Sequence, residues 1–338
     1  MKPNENYVVI SDNVAQIKRL IRELVLEPRL KAIEWSKLTK QTPNMKIGYP
    51  GQHLASLVVG MEGTKTGARG NDIVDGSEVK SCSRVDASDK CKNCGGKILR
   101  TETECPVCGS DDIVRDNTSK WLFTIRNEDD LRLLTGDVKR IILVLADYPN
   151  FDRGNYEDIQ FQVFEIWTNS PRCVEFKNLM TNYYYNIYKT HKKSDSNKTP
   201  APKNFWPYSF QFYKCNPVKV FSCIIKNANT SPTVQNVFYV EPTIDRSTLK
   251  SELMPSAILT KNELPSLTEM LEKTPKKVIE RYLAKGKSYE ELKDLVKKTK
   301  FDKAKFTAII PFFDEELRNY LPLREDKTFT IKTKHVRK

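Results

Sequence analysis

Arg69-Gly70-Asn71-Asp72-Ile73-Val74-Asp75-Gly76-Ser77-Glu78-Val79-Lys80-Ser81 decides how this chain of 338 residues is read. Residues 72–74 and 78–82 are short β-type runs, and Asp75, Gly76 and Ser77 between them suit a tight turn. The pattern predicts a hairpin whose two strands pair antiparallel. Strand side chains alternate between faces, so Glu78 and Lys80 point the same way and Val79 turns into the core. Asp72, on the paired strand, then reaches the same spot.

Two carboxylates brought together in a partly dry site repel unless a cation compensates them, and an all-oxygen ligand set suits Mg²⁺. The backbone carbonyl of Val79 offers a third oxygen beside Asp72 and Glu78. Such a metal lowers the pKa of a bound water and neutralises charge building on a phosphate. Lys80 is placed to orient the nucleophile and stabilise the transition state. The chemistry these parts predict is phosphodiester hydrolysis. Asp75 is a rival to Asp72, set aside because it lies in the turn and too near Glu78 to sit across from it.

Upstream, residues 12–40 carry Val14, Ile17, Ile21, Leu24 and Val25 at helical spacing, with Asp12 placed to cap the start. A turn at residues 48–51 leads to a short apolar helix over 53–62, then a loop rich in Gly, Thr and Lys over 63–70. Downstream, 121–125 is expected as a strand, 128–134 as a helix, and 141–147 and 161–167 as strands. Residues 173–189 carry an aromatic cluster, and 192–203 have linker composition. Strands are expected at 205–212, 218–225 and 234–240. Residues 262–320 look like Lys-rich amphipathic helix, in which 289–295 and 303–310 could form a helix-turn-helix.

Cys91-Lys92-Asn93-Cys94-Gly95-Gly96 and Cys105-Pro106-Val107-Cys108-Gly109 are two Cys-x-x-Cys-Gly turns with ten residues between the pairs. Tetrahedral Zn²⁺ takes four thiolates, and glycine after the second cysteine lets backbone N–H groups turn toward sulfur. Cys91, Cys94, Cys105 and Cys108 therefore predict a structural zinc ribbon, with a short hairpin in 97–104, too small to fold without its metal. As an insertion at 86–117, directly after the strand bearing Glu78 and Lys80, it is expected beside the cleaving edge. There Lys90, Lys92, Lys97, Arg100 and Arg115 would meet phosphates. The other cysteines are expected to be buried thiols.

Asp72 with Glu78-Val79-Lys80, set in an order of helix, strands, helix and strand, resembles the PD-(D/E)xK nuclease superfamily, and within it type II restriction endonucleases. The resemblance covers residues 50–167 at most. It implies a mixed α/β (α+β) restriction-endonuclease-like core with the zinc ribbon inserted, and sequence-specific cleavage of double-stranded DNA with Mg²⁺. Two departures stand out: Asn71 replaces the usual proline, and only five residues separate Asp72 from Glu78. Glu62 resembles an extra acid that some members use. The expected organisation is a helical region at 1–50, a nuclease core at 51–190, a linker at 191–204, and a region for DNA recognition or dimerisation at 205–338.

The 56 Lys and Arg against 43 Asp and Glu give a formal charge of +13, a field that attracts polyanions. Lys65, Arg69, Lys92 and Lys97 are candidate DNA contacts. The start of the chain lacks a secretory apolar stretch, and no run of 18 apolar residues could span a bilayer, which predicts a cytoplasmic protein. Isolated His53, His191 and His335 supply no histidine-metal nuclease. No Walker loop points to a translocase, and no Asn-Pro-Pro-Tyr motif is present, so a protective methyltransferase would be a separate protein. One catalytic set per chain cuts one strand, which predicts a two-fold homodimer. Two other readings stay open: a zinc-ribbon DNA-binding protein without catalysis, and a structure-specific repair nuclease of the same fold.

Overall fold

A computed structural model describes residues 8, 11–65, 71–116, 118–197, 199–207, 209–251, 268–269, 271–281, 283–298 and 312. They form a mixed α/β protein of two compact units. The first comprises 1–121, 139–165 and 218–250; the second comprises 122–138, 166–217 and 251–338. The described helices are α1 (Asn13–Ile21), α2 (Glu27–Thr39), α3 (Gly48–Val59), α4 (Glu128–Arg132), α5 (Val174–Asn182), α6 (Lys189–Ser194), α7 (Phe210–Lys214), α8 (Lys276–Glu280) and α9 (Tyr289–Lys298). The strands are β1 (Glu78–Ser83), β2 (Asp89–Cys91), β3 (Lys97–Ile98), β4 (Ile113–Val114), β5 (Trp121–Phe123), β6 (Ile141–Asp147), β7 (Ile159–Ile166), β8 (Lys203–Phe205), β9 (Val218–Lys226) and β10 (Thr233–Tyr239).

The first unit is built on a five-stranded sheet of order β1-β6-β7-β9-β10. Every residue of β6 is buried, as a strand covered on both faces requires. It pairs in parallel with β1, from Glu78 opposite Ile141 to Ser83 opposite Ala146. β9 runs antiparallel to both β7 and β10. The strands predicted at 141–147, 161–167, 218–225 and 234–240 therefore form, but the last two join the same sheet as β1. The linker composition at 191–204 does not mark a division of that sheet.

The predicted hairpin of residues 72–74 with β1 does not form. β6 takes one edge of β1, and on the other side the main-chain groups of 72–74 are committed to 62–64 and to the Ser77 carbonyl. Residues 72–74 instead face 62–64: Ile73 bridges Gly63, Thr64 N–H donates to the Asp72 carbonyl at 3.1 Å, and Val74 N–H to that of Glu62 at 3.0 Å. The turn after them closes on itself through Asp72 N–H and Ile73 N–H, which donate to the Ser77 carbonyl at 2.9 and 3.1 Å. Gly76 adopts φ +88° there, which glycine tolerates without strain.

The helix expected over 12–40 is present as α1 and α2 joined by a π-helical stretch, with Ile17, Ile21, Val25 and Leu26 in the core. Asp12 does not cap it through its side chain; at φ 58° its carbonyl accepts from Ala15 and Gln16 instead. Arg29 of α2 makes a buried two-pronged pair with Asp86, at 2.8 and 2.6 Å, and donates to the Ala228 carbonyl. The turn expected at 48–51 is the first turn of α3, and Gly51 lies against β1.

In the second unit, β5 pairs with β8. Phe123, Phe176, Phe205 and Phe212 make edge-to-face contacts with centroids 5.5–6.1 Å apart. The strand expected at 205–212 is broken, because after Pro207 the Ser209 hydroxyl accepts from Phe212 N–H and starts α7. The aromatic segment from 173 is helical through α5 and α6. Of the Lys-rich tail, α8 and α9 are described; residues 303–310 and His335 lie outside the described residues.

A methyl group at Gly51 would come within 2.1 Å of the Ser81 hydroxyl and 3.0 Å of its Cβ. Gly51→Ala is expected to lower stability by about 1–3 kcal/mol in urea melts, and Ser81→Ala in the same chain to recover part of the loss. A fully additive pair of effects would show that the two residues do not pack against each other.

Candidate active site and metal centre

Although it sits in a loop, Asp72 reaches the start of β1. One of its carboxylate oxygens accepts from Val79 N–H at 2.8 Å, and the other from the Gln52 side chain at 2.8 Å. Gln52 projects from α3, so that helix and β1 fix the carboxylate from two sides. Lys80 donates to Glu78 Oε1, as two residues on one strand face can. The Glu78 side chain is 12% exposed and that of Lys80 29%. Burial raises the pKa of Glu78, the Lys80 ammonium opposes the rise, and the negative charge of Asp72 adds to it. Asp72, Glu78 and Lys80 are thus within one another's electrostatic reach, in a site drier than the surface.

The donor set suits a hard divalent cation. Two carboxylates converge where the charge of Asp72 raises the cost of ionising Glu78, and a bound cation would lift that cost. Asp75 is engaged elsewhere: Oδ1 accepts from the main chain and hydroxyl of Ser77, and Oδ2 accepts from Arg140 at 2.9 Å. The Glu62 side chain is exposed, and the structure does not bring it into a ligand group with Asp72 and Glu78; among the described residues the one cluster of three or more candidate ligands is cysteine. Gln52 escaped notice in the sequence, since a single amide on an apolar helix carries no pattern.

That cysteine cluster is Cys91, Cys94, Cys105 and Cys108, whose sulfurs all lie within 4.8 Å of one another. Cys91 and Cys108 are 3.6 Å apart and Cys94 and Cys105 3.5 Å. Zn–S bonds of about 2.3 Å in a tetrahedron put sulfurs about 3.8 Å apart, so these four can hold such an ion. Both turns close as expected, Gly95 N–H donating to the Cys91 carbonyl and Gly109 N–H to that of Cys105, with φ +74° and +69° at the glycines. The backbone N–H of Cys94, then that of Asn93, lowers the Cys91 thiol to about 6, favouring thiolate. The hairpin joins β2 to β3 across the first turn rather than lying within 97–104, and β4 adds the third strand.

The ribbon is not beside Asp72. It leaves the sheet after Ser83, and it docks on the segment after β6, where the Arg100 guanidinium lies 5.0 Å from the Phe151 ring centre and 5.2 Å from that of Tyr156. Glu78 and Ile141 stand at the opposite end of the paired strands, about 16 Å away along β1 at roughly 3.3 Å per residue. Arg100 and Arg115 are not free for phosphates either: both pair with the buried Asp89, at 3.0 and 2.7 Å. Lys92 pairs with Asp112 on the surface, while Lys65, Lys90 and Lys97 are exposed. Arg69 lies outside the described residues.

The fold thus gathers two carboxylates and a lysine at the end of one sheet strand. The sequence profile of the MamI restriction endonuclease family matches residues 34–257, and the chain belongs to that family. A stretch of 56 residues is 39% identical to the type II restriction enzyme MamI of Microbacterium ammoniaphilum. It covers 17% of this chain and 18% of that enzyme, so the chain spans less than a fifth of the curated relative it matches. No solved structure matches. No helix among the described residues is long and apolar enough to cross a membrane.

Cys91→Ser with Cys105→Ser is expected to abolish metal uptake by the ribbon and to lower the thermal midpoint, read by elemental analysis and calorimetry. A metal-free variant that melts like the wild type would contradict a structural role.

Proposed function

We propose that this chain is a type II restriction endonuclease that cuts both strands of DNA at a specific sequence with Mg²⁺. The observation that carries the proposal is the meeting of Asp72, Glu78 and Lys80 at the start of β1 in a member of a restriction endonuclease family.

Asp72, Glu78 and the Val79 carbonyl would hold the ion, which when bound would supply an acidified water and charge neutralisation on the scissile phosphate. Gln52 and Val79 N–H keep the Asp72 carboxylate aimed into the site. Lys80 orients the attacking water and offsets the charge that grows on phosphate oxygens in the transition state. Its contact with Glu78 holds the ammonium on that face of β1 until substrate arrives. The four-cysteine ribbon holds Zn²⁺ as a structural ion, since its cysteines fill every position of a closed tetrahedral site.

Exposed Lys65 and Lys97, and Lys92 on exchanging its surface pair with Asp112 for a phosphate, contribute contacts that position the duplex without reading its sequence. Each phosphate neutralised steepens the salt dependence of binding by about 0.9 in log-log slope. The enzyme acts in the cytoplasm as a homodimer beside a separate methyltransferase that protects the host sequence. Mass by light scattering tests the dimer, and a monomer both with and without DNA would contradict it.

The direct test is incubation of plasmid DNA with the chain and Mg²⁺, followed by sequencing of the ends. Defined fragments are expected, lost in EDTA and reduced ~100- to 1,000-fold in rate by Lys80→Ala, with duplex binding in EDTA retained. Binding without cleavage by the wild type would instead make this a zinc-ribbon DNA-binding protein, and cleavage only of junctions or mismatches a repair nuclease.

A further inference from the structure

The turn that presents Asp72 and Glu78 is joined to the segment before β6 by a buried arginine, beside main-chain hydrogen bonds and a longer ion pair from the half-exposed Lys139 to Asp75 at 3.6 Å. Arg140 stands just before β6. Its Nε donates to the Ser77 hydroxyl at 2.9 Å, one terminal nitrogen to Asp75 Oδ2 at 2.9 Å, and the other to Glu165 Oε1 at 3.1 Å. Its carbonyl accepts from Glu78 N–H at 3.1 Å, and the neighbouring Lys139 N–H donates to the Gly76 carbonyl at 2.9 Å. The side chains of this network are shielded: Arg140 is 7% exposed, Asp75 5%, and Ser77 and Glu165 0%.

Glu165, on β7, is in turn shared. Arg246 donates to the same Oε1 at 2.7 Å and to the carbonyls of Val58, on α3, and Val240. α3 also carries Gln52, the residue that holds the other Asp72 oxygen. The network thus ties the turn, the strand after it, and the helix that orients Asp72 to one buried carboxylate.

A buried charge network of this kind is a costly way to add stability, because apolar residues of the same volume would often do as well. What it provides is geometry, since a guanidinium fixes three acceptors in one plane and an ammonium cannot. Mg²⁺ demands near-ideal octahedral placement of its oxygens, so a small displacement of the turn would be felt at the ion.

We propose that Arg140 and Asp75 are positioning residues for the metal site, Arg140 holding the 71–77 turn so that Asp72 and Glu78 converge, with Glu165 and Arg246 fixing Arg140. Asp75 on this account orients the turn and is not itself a metal ligand. The inference rests on the assignment of Asp72 and Glu78 as ligands, and it does not require that the substrate be DNA.

The test compares Arg140→Lys and Asp75→Asn with Arg29→Lys, which breaks a buried arginine pair beyond the other end of β1. Zinc-loaded full chain is titrated with Mn²⁺ as the probe, without DNA, and free ion is read by electron paramagnetic resonance; Asp72→Asn assigns the site. Arg140→Lys and Asp75→Asn are expected to weaken Mn²⁺ binding about 10- to 100-fold, while Arg29→Lys lowers the thermal midpoint and leaves binding within about twofold. Wild-type binding in both network variants would overturn the proposal. So would a wild type that takes up no Mn²⁺ dependent on Asp72. A wild type that binds Mn²⁺ and loses it in Arg140→Lys, yet cuts no DNA, would sustain the positioning role and end the nuclease assignment.

Discussion

The parallel pairing of β1 with the fully buried β6 is the constraint on which the rest of the first unit depends. β6 exposes no residue, so its position is set by the core on both faces, and whatever pairs with it inherits that rigidity. Glu78 and Lys80 project from such a strand. Asp72, from a loop, is brought to the same place by hydrogen bonds to the main chain of β1 and to Gln52 of α3. Side chains assembled this way are fixed before any ion arrives, as low reorganisation in the proposed catalysis would require.

Arginine recurs at the joints of this unit. Arg140 fastens the turn before β1, Arg29 with Asp86 fastens the segment after it, and Arg100 and Arg115 converge on Asp89 inside the ribbon. In each case a planar cation satisfies several acceptors that burial would otherwise leave without water. These arginines count toward the net charge of +13 but not toward a surface for phosphates. The outward-facing positive charge comes from exposed lysines together with exposed arginines such as Arg19, Arg22 and Arg132.

Local signals in the sequence were legible. The cysteine spacing gave all four sulfurs of the ribbon, because the two turns that place them are each set within six residues and need no tertiary context. Glu78 and Lys80 share a face, as side-chain alternation along one strand dictates, and the apolar runs of β6, β7 and β9 were plain, but Asp72 joins them from a loop and not from the paired strand on which it was expected. What failed was pairing: nothing in residues 72–83 tells that β1 takes a partner some sixty residues later in preference to the segment beside it. The same distance hid Gln52 and Arg140, solitary polar residues whose role comes from contacts between segments. The ribbon was placed beside the site because it follows β1 in sequence, but a strand has two ends, and the insertion leaves from the far one.

Anomalous diffraction from crystals of the zinc-loaded chain soaked in Mn²⁺ tests most directly whether Asp72 and Glu78 share one divalent ion. If they do, a manganese peak lies within about 2.2 Å of an oxygen of each carboxylate, separate from the zinc peak among the four cysteines. A well-ordered site without manganese, or manganese bound by Asp75 and Glu62 instead, would contradict a shared ion.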